Sequence, residues 1–204
     1  MDWSVLPTIN ASRVSLRWIT EQDVDAFYAV YSHPEVMRYW STPPLTERDQ
    51  AVKLVSEIHE GFQRQALLKW GIARRIDDLL IGSITLFNLD FTHRRAEIGY
   101  ALGRDHWGQG YMQEALRAVI AYAFEELGFH RIEADVDPRN DASIRTVARL
   151  GFQREGYLRE RWQVAGEIQD ALFFGLLRPD WEALNPQITQ ISQMKKEDSG
   201  STGR

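Results

Sequence analysis

The sequence predicts an α/β (α+β) fold with a single mixed, mostly antiparallel sheet of about seven strands flanked by helices. Two amphipathic helical segments lie near the start, and most of the alternating, strand-like segments come after them. A long helical segment interrupts those strands, and a hairpin pattern closes the series. The 204 residues suit one domain with its own core.

The first part of the chain contains one predicted strand and two predicted helices. Residues 13–19 alternate between apolar and other side chains, which indicates a strand with one buried face. A capping-box spacing then occurs twice, as Thr20-x-x-Asp23 and Thr46-x-x-Asp49, each before an amphipathic stretch. We therefore expect a helix after Thr20 that ends before Pro34, and a second helix opening at Thr46.

The later elements follow from changes in period and from turn residues. The predicted order is strands 67–74, 80–87 and 95–102, helix 111–127, strand 131–137, helix 141–150, and hairpin strands 157–164 and 168–177. Residues 1–184 are expected to form the domain. Residues 185–204, polar and ending in Ser, Gly and charged residues, are expected to form a flexible tail.

Composition excludes several classes of protein. A formal charge of −5 disfavours a nucleic-acid-binding face. The sequence has no stretch of about 20 apolar residues and no secretory start, so we expect no membrane contact and a cytoplasmic location. It has no cysteine, and its five histidines lack metal-ligand spacing, so no metal is expected.

The informative segment is a strand, a short loop and a glycine pair that leads directly into the long helix. Gly108 and Gly110 leave room for phosphate oxygens beside the free amides at the helix start, where the dipole favours an anion. The same glycines could equally serve only to turn the chain. A dinucleotide fingerprint is rejected because its third glycine is Gln113 here, and a P-loop is rejected because Gly-Lys-Ser/Thr is missing.

Four motifs give the chain a specific resemblance over residues 13–181. They are AEIGY at 96–100, HWGQGYMQEA at 106–115, NDAS at 140–143 and RLGF at 149–152. With them the chain resembles the GCN5-related N-acetyltransferase (GNAT) superfamily, and within it the ribosomal-protein-alanine N-acetyltransferase-like (RimJ/RimL-type) branch. The loop ends at Trp107 and Met112 are those of that branch, and the central Gly110 is retained.

The resemblance implies acetyl-CoA as co-substrate and a sheet that splays between its fourth and fifth strands. The pantetheine arm would pair with the free strand edge, and backbone amides of the glycine loop would hold the pyrophosphate. Asn140 would bond the pantetheine, although an N-cap role for it is equally plain. The implied cofactor-binding residues are Tyr100, Ala101, Leu102, Trp107, Gly108, Gln109, Gly110, Tyr111, Met112, Gln113, Asn140 and Ser143.

The same resemblance implies direct attack of an amine on the thioester, with Glu97 as the base and Ser143 as the acid. Glu97 could instead pair with Arg94 or Arg95, and Ser143 could be an ordinary first-turn serine. The tyrosine acid of many relatives falls at Val147, so that assignment fails; Tyr157 is a weaker substitute.

The acceptor face is expected to include Trp40, Trp162 and Asp170. Trp162 stands where the branch has a catalytic glutamate, and Glu160 could replace that glutamate only if the strand alternates regularly. The predicted acceptor is a protein N-terminal amine, ribosomal or other, or a small-molecule amine. The alternative is a non-catalytic acyl-CoA sensor. Relatives imply a monomer or a homodimer.

Overall fold

The computed structural model describes residues 3–186 and contains one open sheet of eight strands. Their order across the sheet is β1-β2-β3-β4-β5-β6-β8-β7. All neighbours are antiparallel except β5 and β6, which are parallel. The strands are β1 (Ile9–Asn10), β2 (Val14–Arg17), β3 (Leu67–Arg74), β4 (Leu80–Asp90), β5 (Arg95–Leu102), β6 (Arg131–Val136), β7 (Gln153–Val164) and β8 (Glu167–Leu177).

Helices cover both faces of this sheet. They are α1 (Val24–Tyr31), α2 (Pro34–Met37), α3 (Arg48–Gln63), α4 (Tyr111–Glu125), α5 (Asp141–Arg149) and α6 (Arg178–Leu184). The larger apolar core lies under α4, α5 and α6. A second core lies on the opposite face, under α1, α2 and most of α3, and includes Ala101 from β5. The predicted fold class is confirmed.

The parallel strands β5 and β6 separate partway along their length. They pair only at residues 95–97 with 131–133, the last pair being Glu97 and Glu133. Beyond it, residues 98–102 still pair with β4, and residues 134–136 still pair with β8. The inner edges of these two segments therefore border a wedge-shaped opening, called the gap below. The predicted splay is confirmed. It lies between the fifth and sixth strands rather than the fourth and fifth, because β1 adds one strand at the start.

Several local expectations need correction. The strand β1 and the helices α2 and α6 were not expected; Pro34 stops α1 but also begins α2 at a position where proline is well suited. The second predicted helix, α3, starts at Arg48 rather than after Thr46. Gln50 sets this start, because its Oε1 accepts hydrogen bonds from the backbone of Thr46 (2.7 Å) and Glu47 (3.0 Å).

The predicted tail boundary falls within a packed region. Asn185 is 8% exposed, its Oδ1 accepts from Arg117 Nη1 at 2.9 Å, and its Nδ2 donates to Trp181 O at 2.9 Å. The rest of the predicted tail from residue 187 onward lies outside the described residues.

Candidate active site

The glycine loop joins β5 to α4 through a backbone shape that favours glycine. Gly108 has φ +73° and Gly110 has φ +82°, both in the left-handed region. Gly110 is the N-cap residue of α4. Apart from Gly108 and its two chain neighbours, no atom of residues 3–186 lies within 4 Å of the position that a Cβ on Gly108 would occupy, so the loop is open on that side.

The start of α4 carries donors that no other group in residues 3–186 uses. The first helical bond runs from Glu114 N to Gly110 O at 3.1 Å, which leaves the amides of residues 111–113 without a helical acceptor. No side chain among residues 3–186 caps this end. Gln113 Nε2 is also buried without a hydrogen-bond partner in the part of the chain described. A cluster of unused donors at a helix N-terminus fits the diphosphate of a coenzyme.

Arg13, which directly precedes β2, holds this loop in place through hydrogen bonds. Sequence reasoning missed this residue. Its Nη1 donates to Gln109 O at 2.9 Å, and its Nε donates to Glu114 Oε2 at 2.8 Å. Its guanidinium lies 4.7 Å from the centre of the Tyr111 ring. Burial alone would raise the pKa of Glu114, but the hydrogen bonds from Arg13 hold that pKa below its ordinary value. No short-range pattern signals a contact across about 100 residues of chain.

The free edge of β5 contributes the predicted pantetheine segment. Tyr100 is half-buried, and Ala101 and Leu102 are buried, all within the part of β5 that borders the gap. The indole Nε1 of Trp107 donates to Leu102 O at 2.7 Å, so this carbonyl already has one partner. Trp107 therefore ties the glycine loop to the end of β5.

Two hydrogen bonds fix the start of α5, and one of them reaches β5. Asn140 caps the helix, since its Oδ1 accepts from Ser143 N at 3.1 Å, which leaves its Nδ2 available to a ligand. The hydroxyls of Tyr100 and Ser143 lie 2.7 Å apart. Tyr100 comes from one wall of the gap and Ser143 from the helix that follows the other wall, so this contact bridges the gap.

Glu97 lies where the gap begins. It is half-buried and projects from the same sheet face as Ala101, four residues further along the strand. Its Oε1 accepts from Asn88 Nδ2 at 2.8 Å. The alternative pairing with arginine is not observed, because Arg94 donates to Gly128 O and Arg95 contacts Glu133 and Asp90.

Asp135 is a second carboxylate at the gap that sequence reasoning missed. It lies on the unpaired part of β6, on the same face as Glu133, and its side chain is 11% exposed. Arg161 Nε contacts Oδ2 at 3.1 Å, whereas Oδ1 is buried without a partner among residues 3–186. This oxygen is an acceptor that a ligand could use if Arg161 moved.

The two other positions considered for the acid, Val147 and Tyr157, have different surroundings. Val147 lies on the same face of α5 as Ser143, one turn further on, and is 1% exposed in the main core. Tyr157 lies on the exposed hairpin, where its hydroxyl donates to Asp170 and the bond raises the pKa of the phenol.

The three residues expected on the acceptor face lie in different surroundings. Trp40 packs edge-on against Tyr31, with ring centres 5.4 Å apart. Trp162 is 38% exposed on the hairpin. Asp170 accepts from Glu160 N at 2.8 Å as well as from the hydroxyl of Tyr157, so its carboxylate also supports the hairpin.

The regular alternation that would equate Glu160 with Trp162 is absent. The register of β7 against β8 shifts between Leu158 and Trp162, and Glu160 has φ +53°. Because a bulge breaks the alternation of side chains, the sheet face on which Trp162 lies does not tell on which face Glu160 lies.

Two features are absent from residues 3–186. No helix there is long and apolar enough to span a membrane. Within the same residues, no group of three or more His, Cys, Asp or Glu side chains is arranged to hold a metal ion.

Comparison with known proteins agrees with this geometry. Residues 13–153 match the family described as "Acetyltransferase (GNAT) domain", so the chain belongs to that family. It is 36% identical over 175 residues to "Uncharacterized N-acetyltransferase YoaA" of Bacillus subtilis (strain 168), covering 86% of this chain and 99% of the relative.

Two further similarities concern proteins with named substrates or ligands. The chain is 25% identical over 160 residues to "Spermidine N(1)-acetyltransferase" of Vibrio cholerae, covering 78% of this chain and 90% of the relative. The solved structure "Mycobacterium smegmatis RimJ in complex with CoA-disulfide" superposes with a TM-score of 0.77 and 24% identity, covering 86% and 89% of the two chains. The chain is thus a GNAT acetyltransferase that transfers acetyl groups to amines.

Proposed function

We propose that the chain acetylates a primary amine by direct attack on acetyl-CoA, with the thioester placed in the gap between β5 and β6. The observation that carries this proposal is the meeting of three features at that gap. They are the unused donors of α4, the free edge of β5, and Glu97 at the point where the strands part.

The coenzyme would be held largely by the backbone. The backbone amides of residues 108–113 would donate to the diphosphate, and Arg13 holds that loop in shape. The edge of β5 and Asn140 Nδ2 would donate to the pantetheine arm. The lack of a cysteine is no obstacle, because no acetyl-enzyme forms in this scheme.

In the chemical step, the amine nitrogen forms a bond to the acetyl carbon, and the bond between that carbon and sulfur breaks. Glu97 takes the proton that the amine loses, directly or through water. Its one contact within residues 3–186 is with an uncharged amide, so no arginine neutralises the carboxylate. The Ser143 hydroxyl protonates the leaving thiolate, and a backbone amide near Tyr100 stabilises the oxyanion.

The acceptor is either a protein N-terminal amine or a small molecule such as a polyamine. The similarity to a spermidine acetyltransferase supports the polyamine, and the RimJ/RimL-type motifs of the chain support the peptide amine. We expect the chain to act in the cytoplasm, as a monomer or a homodimer.

Thiol release from acetyl-CoA, measured against a panel of ribosomal N-terminal peptides, spermidine and free amino acids, tests the proposal. We expect one amine class to give thiol and N-acetylated product in equal amounts, identified by mass spectrometry. Tight binding of acetyl-CoA with no turnover on any amine would instead favour the non-catalytic sensor.

A further inference from the structure

The hydroxyl contact between Tyr100 and Ser143 is the strongest feature of the gap that the proposed chemistry leaves unexplained. The two residues are 43 positions apart and come from opposite sides of the opening. Within residues 3–186, neither hydroxyl has another hydrogen-bond partner. Each oxygen therefore retains capacity for at least one further hydrogen bond.

The direction of this bond follows from the chemistry of the two hydroxyls. A phenol is the stronger donor and an aliphatic alcohol the stronger acceptor, so Tyr100 donates and Ser143 accepts. Burial raises the pKa of Tyr100 to about 12, so the phenol keeps its proton at neutral pH.

Donation by Tyr100 determines where the serine proton points. With its oxygen accepting from the phenol, Ser143 turns its own hydrogen away from Tyr100. The position of the serine itself is held by a hydrogen bond that its backbone N donates to the side-chain Oδ1 of Asn140. Val147, the apolar residue one turn further on this face of α5, offers the thiolate no alternative donor.

We propose that Tyr100 is a positioning residue whose phenol orients the Ser143 hydroxyl toward the sulfur of the departing thiolate. This inference rests on the proposed function. As the carbon–sulfur bond breaks, its electron pair stays on sulfur, which takes the proton of Ser143. Solvent water replaces that proton on the serine, and the hydroxide this leaves is neutralised by the proton that Glu97 took from the amine and returns to solvent, while Tyr100 remains protonated throughout.

Tyr100→Phe, Ser143→Ala and the double variant test this inference at pH 7, with the amine that the wild type acetylates fastest. General acid catalysis is typically worth at least about 100-fold, so we expect Ser143→Ala to lower kcat about 100-fold. We expect Tyr100→Phe to lower kcat about 10-fold. The double variant should match Ser143→Ala within about twofold, because the phenol acts only through the serine.

Three readouts separate this role from a merely structural one. The Kd of acetyl-CoA, from calorimetry, should stay within about threefold in Tyr100→Phe, so that the loss lies in kcat. The kcat loss should also shrink above about pH 8.5, near the ordinary thiol pKa, where the thiolate leaves unprotonated. Tyr122→Phe is the matched control, since it removes a phenol from α4 beside Trp70, and should leave kcat unchanged.

The outcomes are distinguishable from failure of the proposed function. A wild type that binds acetyl-CoA but acetylates no amine contradicts the proposed chemistry as a whole, and this inference with it. If the wild type is active, three results would overturn this inference alone. Tyr100→Phe could keep full kcat, or it could lose affinity for acetyl-CoA instead of kcat. In the third result, the kcat losses of Tyr100→Phe and Ser143→Ala multiply in the double variant.

Discussion

Glu97 and Glu133 lie side by side at the last paired position of β5 and β6, yet they have opposite electrostatic surroundings. Glu133 contacts Arg131 at 2.6 Å and Arg95 at 3.1 Å, whereas Glu97 contacts the neutral amide of Asn88. Both carboxylate oxygens of Glu133 are therefore already held by arginines. The difference singles out Glu97 as the candidate base.

Glu97→Gln should lower kcat about 100-fold, and the loss should be greatest below neutral pH, where the amine gives up its proton least readily. The measurement is a pH profile of kcat and kcat/KM. Glu133→Gln is the matched control on the adjacent strand, and we expect it to change stability but leave the shape of the profile intact. A Glu97→Gln profile parallel to that of the wild type would remove Glu97 from the mechanism.

Gly108→Asp should weaken acetyl-CoA binding about 10-fold more than Gly108→Asn. Both side chains tolerate a positive φ better than most, and the space around the Cβ position is empty, so the fold should persist. They differ chiefly in a negative charge beside the proposed diphosphate. Calorimetry at low and high salt measures this, and the difference should narrow as salt screens the charge. Equal affinities at low salt would argue against a phosphate site here.

Asn140→Asp separates the cap from the ligand contact. The aspartate keeps an oxygen for Ser143 N, so thermal stability should change little, but it lacks the amide donor and should bind acetyl-CoA about 10-fold more weakly. Asn140→Ala should lose about 1 kcal/mol of stability as well. Melting curves and binding isotherms of both variants check this; wild-type affinity in the aspartate variant would leave Asn140 as a cap alone.

The Arg17–Asp23 pair should give the fold an acid-sensitive component. Burial works against the Asp23 carboxylate, but the hydrogen bonds from Arg17 and Thr20 hold its pKa below the ordinary value of 3.8. A lowered folded-state pKa stabilises the protein above about pH 4, and the contribution disappears as pH falls through that pKa. Asp23→Asn should cost about 2 kcal/mol at pH 7, and the cost should shrink as pH falls through the lowered folded-state pKa. Urea denaturation across pH measures this, and a constant difference would contradict it.

Features encoded in local pattern were predictable from the sequence. Glu97 could be assigned to a strand by its alternating neighbours, and the pair Gly108 and Gly110 identified the loop because few residues tolerate its backbone angles. The start of α3 was wrong because two adjacent side chains, Asp49 and Gln50, compete for one cap, and only the folded chain shows that Gln50 takes it. The bulge at Glu160 likewise has no signature in an otherwise alternating strand.

Contacts between distant segments were not predictable. Asn88 beside Glu97, the unpartnered oxygen of Asp135, and the hydroxyl pair of Tyr100 and Ser143 all depend on how separate elements meet. The predicted acceptor side shows the same limit, since its expected residues come from the segment after α2 and from the last hairpin. The sequence shows that Trp40 and Trp162 are aromatic, but it does not give the distance between their side chains in the folded protein.

The attachment of the glycine loop by Arg13 links coenzyme affinity to the first part of the polypeptide. Because the arginine and its partners Gln109 and Glu114 are 96 and 101 positions apart, the loop reaches its final shape only after the edge of the sheet has assembled. Coenzyme capture should therefore appear late during refolding, after most secondary structure has formed. Deletions or fusions that disturb the residues just before β2 should impair it even though they lie far from the acetyl group.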